Sequence, residues 1–574
     1  RSRLGREFGQ PEGWLRAYKS SEMTDTLEKY KVVRTYGGVY IDSRVFIADE
    51  DGLVKDVGGQ DPPEDPPTDQ FEILCVFGYV SGLLILVTGA ESLGCLNGHQ
   101  VLKVTEWRII NVSSKVEYCE NVVRSLFTVD GVYFSPTTDL SERRSPSGST
   151  FSETQKLAFF WNHAASSSFS KAGLSQYVRP MIFGFVSITE VRDVKLALVS
   201  RRRTDRAGFR FTTRGMDSDG SVAIATETEA FVERAGVVTS FTTIRGSIPL
   251  FWMQFPLQMR KPRTMIHTGS REERAAFSTH FQKLSEEYGS RVVILSTLNE
   301  AGAEGILNLK YSREARRSEK IQLFKHFRFF SGETAPVTER LEDLYKDLKD
   351  VLSAQGLTQR TVHETAIRKS QSGVLRLNCI DCCDRSNVTQ AHLVNSVIRE
   401  FVLDDLNPTE WSELEGGLRE LWYENGKQIS EQYAGGAALK GDLTHYGMRT
   451  FSGRWHDLKS LMNRDFSNRY SHGMLQDGLD LLLGVVKEHD PIHLESRIRP
   501  YFPRIVIIVF VVAFVCKNLN FSRGLSVAFK LLSAMSFGGL LLVMSMPEAW
   551  TVKSALGGTK ATVHLDPTTY LPLE

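Results

Sequence analysis

The segment Arg376 to Gln390, RLNCIDCCDRSNVTQ, constrains this chain more than any other. It joins two elements of different period: Val374 to Leu377 reads as a short apolar strand, whereas Leu393, Val394, Val397, Ile398 and Phe401 recur at helical spacing. From Ser152 onward, helical and strand-like patterns mix as they do in an α/β unit. Before that, Phe71 to Thr88 gives two apolar runs broken by Gly and Ser, the pattern of buried strands joined by a tight turn, and Val101 to Val112 adds another. The stretch up to about Phe134 is therefore expected to be β-rich, interrupted by a Pro- and acid-rich surface insertion, Gly58 to Gln70.

Within the joining loop, Cys379 and Arg385 enclose five residues. That spacing lets a loop curl round a phosphate so that backbone N–H groups, thiolate and guanidinium converge on its oxygens. A helix starting there adds its N-terminal field. Both effects lower the thiol pKa, and the thiolate is the reactive form. Arg385 can hold two phosphate oxygens in a fork. Cys379 is then expected to attack phosphorus in line, giving a phosphocysteine that water hydrolyses. Asp381 or Asp384 can protonate the leaving oxygen and later activate water, with Asp384 slightly preferred, and Ser386 can hydrogen-bond the thiolate. On spacing alone, a buried structural Cys beside a salt-bridged Arg is an open alternative. This is the only such pair among the seven cysteines.

Composition narrows the partners. The 574 residues exceed what one compact core holds, so more than one folded unit is expected. With 69 basic and 68 acidic residues the net charge is +1, which gives no global attraction to nucleic acid. Seven cysteines without regular spacing suit a reducing compartment, and Cys379 and Cys382 lack a second ligand pair for zinc, so neither metal nor cofactor is expected. The sequence opens on Arg1 with no apolar signal region, which leads us to expect further residues upstream.

After Pro503, Ile505 to Cys516 is uninterrupted and apolar, and Leu525 to Met546 carries Lys530 as its only charge. Together they suggest a transmembrane hairpin, with a pair of core helices as the alternative. Arg497, Arg499 and Arg504 before the first run lean toward a cytosolic body. The expected organisation is a β-rich subdomain over 1–150, an α/β cysteine-phosphatase subdomain over 151–490, and a membrane anchor with tail over 491–574, spans at 505–516 and 525–546.

The loop resembles that of the Sac family of phosphoinositide phosphatases, approximately R-x-N-C-x-D-C-L-D-R-T-N. Arg376, Asn378, Cys379, Asp381, Cys382, Asp384, Arg385 and Asn387 match, while Leu377, Cys383 and Ser386 depart from it. Further blocks are similar: Phe159 to Asn162 (FFWN), Arg201 to Asp219 (RRRTDRAGFRFTTRGMDSD), Glu227 to Glu229, Thr243 to Trp252 (TIRGSIPLFW) and Gln432 to Asp442 (QYAGGAALKGD). One stretch differs, since Phe327, Arg328, Phe329 and Phe330 stand where the family carries aromatic-Asp-aromatic-His. The resemblance implies a metal-independent phosphatase embedded in the endoplasmic reticulum and Golgi membrane. It would act from the cytosolic side on a phosphoinositide, chiefly phosphatidylinositol 4-phosphate. It also places Asn378 and Asn387 at the substrate. Such a headgroup needs cations for its other phosphates, and Arg201, Arg202, Arg203, Arg206, Arg210 and Lys440 are candidates; a solvated face is the alternative for the arginines. A protein tyrosine phosphatase and an inactive membrane scaffold are the competing readings.

Overall fold

The computed structural model describes residues 27–485 and 570–573, apart from 36–37, 44, 49–53, 59–66, 113–116, 143–152, 256–262, 268, 331–334 and 363–366. The two apolar stretches at 505–516 and 525–546 lie outside the described residues, as does most of the Pro-rich insertion. Among the described residues, no helix is long and apolar enough to cross a membrane.

A five-stranded antiparallel sheet opens the chain, in the order Val54–Asp56, Val45–Ala48, Gly38–Ile41, Tyr30–Arg34, Asp69–Ile73. The expected buried hairpin follows: Cys75–Val80 pairs with Leu83–Leu96 across Ser81 and Gly82, whose φ values of 47° and 79° match the right-handed strand twist. Leu83 to Val87 has no polar alternation because the strand is covered on both sides. Leu83, Ile85 and Val87 join one buried cluster, while Leu84 and Leu86 join another.

The hairpin begins a mixed sheet of 13 strands, among the described residues, that also carries the loop after Asn378. Strand Ile182–Val191 is where its two halves meet. Ile182 and Phe183 pair with Val132–Phe134 on one side, and Gly184 to Val191 pair with Val194–Arg202 on the other. Hydrogen bonding thus continues past residue 150, through the boundary expected from the sequence.

Farther along, Ile321–His326, Arg291–Ser296, Gly373–Asn378 and Val237–Arg245 are neighbours in a parallel run. All six residues of Gly373–Asn378 are buried. Leu375 and Leu377 pack into a core with Leu344, Leu348, Val394 and Trp422, from helices Val337–Gln355, Asp384–Phe401 and Pro408–Ala434. Val374 faces the opposite core, with Phe277, Phe281, Leu307 and Tyr311 from helices Arg271–Tyr288 and Gly302–Ala315. Helices on both faces explain why this strand reads as a continuous apolar run. At Gly426 the long helix approaches the loop helix so closely that a Cβ would lie 2.4 Å from Asn387 Nδ2, which leaves glycine as the fitting residue.

Candidate active site

Strand Gly373–Asn378 delivers Cys379 to the carboxyl edge of the parallel run, where open α/β sheets place their ligands. Neighbouring strand ends supply the walls. Thr297 donates its backbone N–H to the Asn378 carbonyl at 2.9 Å, and the Gly246 carbonyl accepts the Cys382 thiol at 2.9 Å. Cys382 has φ 53°, in the left-handed region, and this reversal turns the loop back into helix Asp384–Phe401. The strand–loop–helix frame expected from the sequence is present.

Cys379 is 1% exposed. Burial alone pushes its thiol up, but a hydrogen bond from Cys382, the Arg385 charge and the Ser386 hydroxyl outweigh it and bring the pKa down to about 5. Ser386 is fully buried, and its hydroxyl has no hydrogen-bond partner among the described residues. Cys379 is therefore a thiolate at neutral pH. Cys382 and Cys383 differ: burial raises Cys382 well above the ordinary thiol value and Cys383 to about 12.

Arg385 shares this environment, and its two terminal nitrogens are already engaged. Nη1 and Nη2 donate to the two oxygens of Glu304 at 2.8 and 3.1 Å, and Nη1 also donates to the Thr297 carbonyl at 2.8 Å. The fork expected to clamp a phosphate thus holds a carboxylate, and a phosphate must exchange for it. Lys440 also reaches this place: its Nζ lies 4.8 Å from the ring centroid of Phe330, and the Arg385 guanidinium lies 5.7 Å from that centroid. The departing aromatic stretch therefore touches the site, with Phe327 and Phe329 buried and Phe330 exposed over the two cations.

The two carboxyls separate in role. Asp381 accepts from Arg210 Nη2 at 2.9 Å and Arg214 Nη2 at 2.5 Å. Its burial would raise the pKa, but Arg210, Arg214 and Arg464 hold it well below the usual carboxylate range, so it has no proton to give. Asp384 accepts from Arg464 at 2.6 and 3.1 Å and from the Leu439 N–H at 2.7 Å, and it borders a cavity of about 280 Å³ that also reaches Tyr423, Lys427 and His456.

Other expected substrate contacts are spent elsewhere. Asn387 accepts from Arg245 and donates to the Trp422 carbonyl, so it ties helices together. Arg201 is buried against Glu227 and Glu229 at 3.0 and 3.2 Å, and strand register places it away from the loop. Arg206 donates to the Arg214 carbonyl and supports the loop at one remove. The alternative of a solvated arginine face fails as well, because Arg201, Arg202 and Arg206 are all buried. Of that run only Arg210 reaches the loop directly, through Asp381. Asn378 stays at the site; its Nδ2 is buried without a partner among the described residues.

Four contributors escaped the sequence reading. Glu304 and Arg464 hold Arg385 and Asp384 from 81 and 80 residues away. Arg214 grips the Ile380 carbonyl as well as Asp381. Arg245 is 1% exposed, and among the described residues it has no carboxylate partner and its Nε and Nη1 are unpaired, near the loop cysteines. The signal for Arg214 and Arg245 was their place in the quoted blocks; for Glu304 and Arg464 there was none. Among the described residues, no group of three His, Cys, Asp or Glu is placed to hold a metal.

Residues 74–334 match the SacI homology domain. The phosphoinositide phosphatase SAC7 of Arabidopsis thaliana is 32% identical over 72% of this chain and 75% of its own length. The phosphatidylinositol-3-phosphatase SAC1 of Drosophila melanogaster is 31% identical over 72% and 75%, and SAC1-B of Danio rerio is 29% identical over 87% and 91%. A crystal structure of a Legionella phosphoinositide phosphatase aligns with a TM-score of 0.23 and 9% identity over 47% of this chain and 40% of that one. A loop at the carboxyl edge of a doubly covered parallel run, within a chain similar to these proteins, defines a phosphatase scaffold. Within that class, the chain belongs to the Sac family of phosphoinositide phosphatases.

Proposed function

We propose that the protein hydrolyses the monophosphate of phosphatidylinositol phosphates, chiefly phosphatidylinositol 4-phosphate, through a phosphocysteine. The observation that carries this reading is the acidic Cys379 thiol, near pKa 5, beside the charge of Arg385. In the first step the Cys379 thiolate forms an S–P bond as the bond from phosphorus to the inositol oxygen breaks, and that oxygen takes its proton from water, leaving hydroxide. In the second, water attacks phosphorus, the thiolate departs onto the Ser386 hydroxyl, and inorganic phosphate leaves. Asp384, paired with Arg464 and bordering the cavity, suits acceptance of the water proton, the base half of an acid–base cycle. Asp381 fixes the loop to Arg210 and Arg214 and takes no part in proton transfer.

The substrate is a membrane lipid, and the runs at 505–516 and 525–546 supply the anchor in this proposal, with the catalytic body on the cytosolic side of the endoplasmic reticulum and Golgi. Tethering raises the local lipid concentration without any new contact. The test is phosphate release by the detergent-solubilised full chain, with Cys379→Ser as control. Substrates are phosphatidylinositol 4-phosphate, its 3-phosphate isomer and a phosphotyrosyl peptide. Fastest release from the 4-phosphate, lost in the variant, is expected; faster release from the 3-phosphate overturns the isomer preference, and peptide preference overturns the substrate class.

A further inference from the structure

Helix Phe451–Tyr470 forms one wall of the cavity that Asp384 borders, and its two faces are opposite in character. The inner face is polar and fully engaged. Arg464 holds Asp384, and Asp457 accepts the Lys440 N–H at 2.8 Å and pairs with Arg449. The outer face carries Phe451, Trp455, Leu458, Met462 and Phe466, recurring at every third or fourth position, an arc of roughly 80° at 3.6 residues per turn. These side chains are not merely unburied. Phe451 is 77% exposed, Trp455 60% and Met462 66%, and Tyr446 and Met448 extend the patch before the helix begins. Among the described residues, the apolar stripes of helices Val337–Gln355, Asp384–Phe401 and Pro408–Ala434 turn into a core.

A contiguous exposed apolar patch marks an interaction surface, and its chemistry selects the partner. Arg454 and Lys459 flank the stripe on either side, both exposed and without an ion-pair partner among the described residues. The Asp465–Arg469 pair also lies on this side and cancels in charge, so aromatic and long aliphatic side chains flanked by a net excess of cations remain, as suits a helix lying in the headgroup boundary of an anionic bilayer. The cavity sits one helix thickness behind the stripe, about 10–12 Å. With the stripe sunk into the boundary, a lipid headgroup entering that cavity meets Asp384 of the loop while its acyl chains stay in the bilayer.

We propose that the outer face of helix Phe451–Tyr470 docks the catalytic body onto an anionic lipid bilayer and so aligns the cavity with its substrate. This rests on the phosphoinositide reading given above. It adds a second membrane contact, separate from any anchor at 505–546.

The test uses the full chain reconstituted into phosphatidylcholine bilayers containing phosphatidylserine. Phe451→Ser/Trp455→Ser/Met462→Ser is compared with the unmutated chain on two forms of one headgroup: embedded long-chain phosphatidylinositol 4-phosphate, and its water-soluble dibutanoyl form. The expected result is roughly a tenfold loss on the embedded lipid, with soluble turnover unchanged and bilayer turnover rescued by Phe451→Leu/Trp455→Phe/Met462→Leu. Equal loss on both forms, or loss on neither, overturns the proposal. An independent arm measures quenching by lipids brominated in the acyl chain. The unmutated chain is expected to be quenched more than Trp455→Phe; equal quenching, as when the C-terminal segment or a second copy covers the stripe, overturns docking. If the unmutated chain fails to turn over even the soluble lipid, the phosphatase reading falls, and the quenching arm still decides the docking.

Discussion

Cys75 and Cys379 are both buried, one in the N-terminal hairpin and one in the catalytic loop, yet their chemistry is opposite. Burial pushes the Cys75 thiol up to about 12, against a weak opposing effect from Arg179. Its neighbours are Phe77, Leu83 and Val87, which pack against a neutral thiol and give a thiolate nothing. Cys379 suffers the same penalty and still falls to about 5, because the Cys382 thiol, the Arg385 charge and the Ser386 hydroxyl outweigh it. Cys383, four residues on, has no such set and rises to about 12. Acidity here is made by partners, and burial sharpens whatever the partners dictate.

The most severe challenge to that contrast is removal of each sulfur. Cys379→Ser is expected to cut turnover by about 10⁴-fold or more while the fold persists, whereas Cys75→Ala leaves turnover intact; comparable losses in phosphate release would erase the distinction. Next comes Arg385→Lys, expected to cost about 10²- to 10³-fold, because a point charge can neither exchange Glu304 for two phosphate oxygens nor hold them in a plane. Near-normal kcat/KM in that variant removes the clamp role.

The acidity itself is readable by alkylation. A thiolate reacts and a thiol does not, so Cys379 reactivity with iodoacetamide is present at neutral pH and lost as pH falls through about 5, while Cys75 stays inert. A midpoint near the ordinary thiol value contradicts the account. Ser386→Ala deletes one donor and is expected to raise that midpoint by about one unit, about 1.4 kcal/mol of thiolate stabilisation, and an unmoved midpoint assigns the acidity to Cys382 and Arg385 alone. The smallest effect on turnover belongs to Arg201→Met. It is expected to leave kcat unchanged but cost about 3–5 kcal/mol of stability by leaving Glu227 buried without its cation; a denaturant midpoint that does not move, or a fall in kcat, refutes the placement.

The frame of the site was legible because it is local. An apolar strand, a five-residue gap between Cys379 and Arg385, and a helical period all lie within Val374 to Phe401. The quoted blocks were legible as neighbours of the loop only through resemblance, and the structure explains the neighbourhood: Arg210, Arg214, Gly246 and Leu439 each contact it. What the sequence hid was which charges are paired. Arg201 and Arg210 look alike in a run of cations, but strand pairing brings Glu227 to one and loop packing brings Asp381 to the other, 171 residues away. The same blindness applied to Asp381 and Asp384, whose difference rests on arginines at 210, 214 and 464. Phe330 was noticed as a departure, yet its place over Arg385 and Lys440 needed three dimensions.

Strand Ile182–Val191, bonded to both halves of the large sheet, bears on how the molecule can be cut. A fragment beginning at residue 151 keeps the whole Cys379 loop but loses Val132–Phe134, leaving Ile182 and Phe183 with bare edge positions and stripping the apolar hairpin from its neighbours. Such a fragment is a template for aggregation, so trimming the enzyme to a soluble minimum has to spare everything from the first hairpin onward.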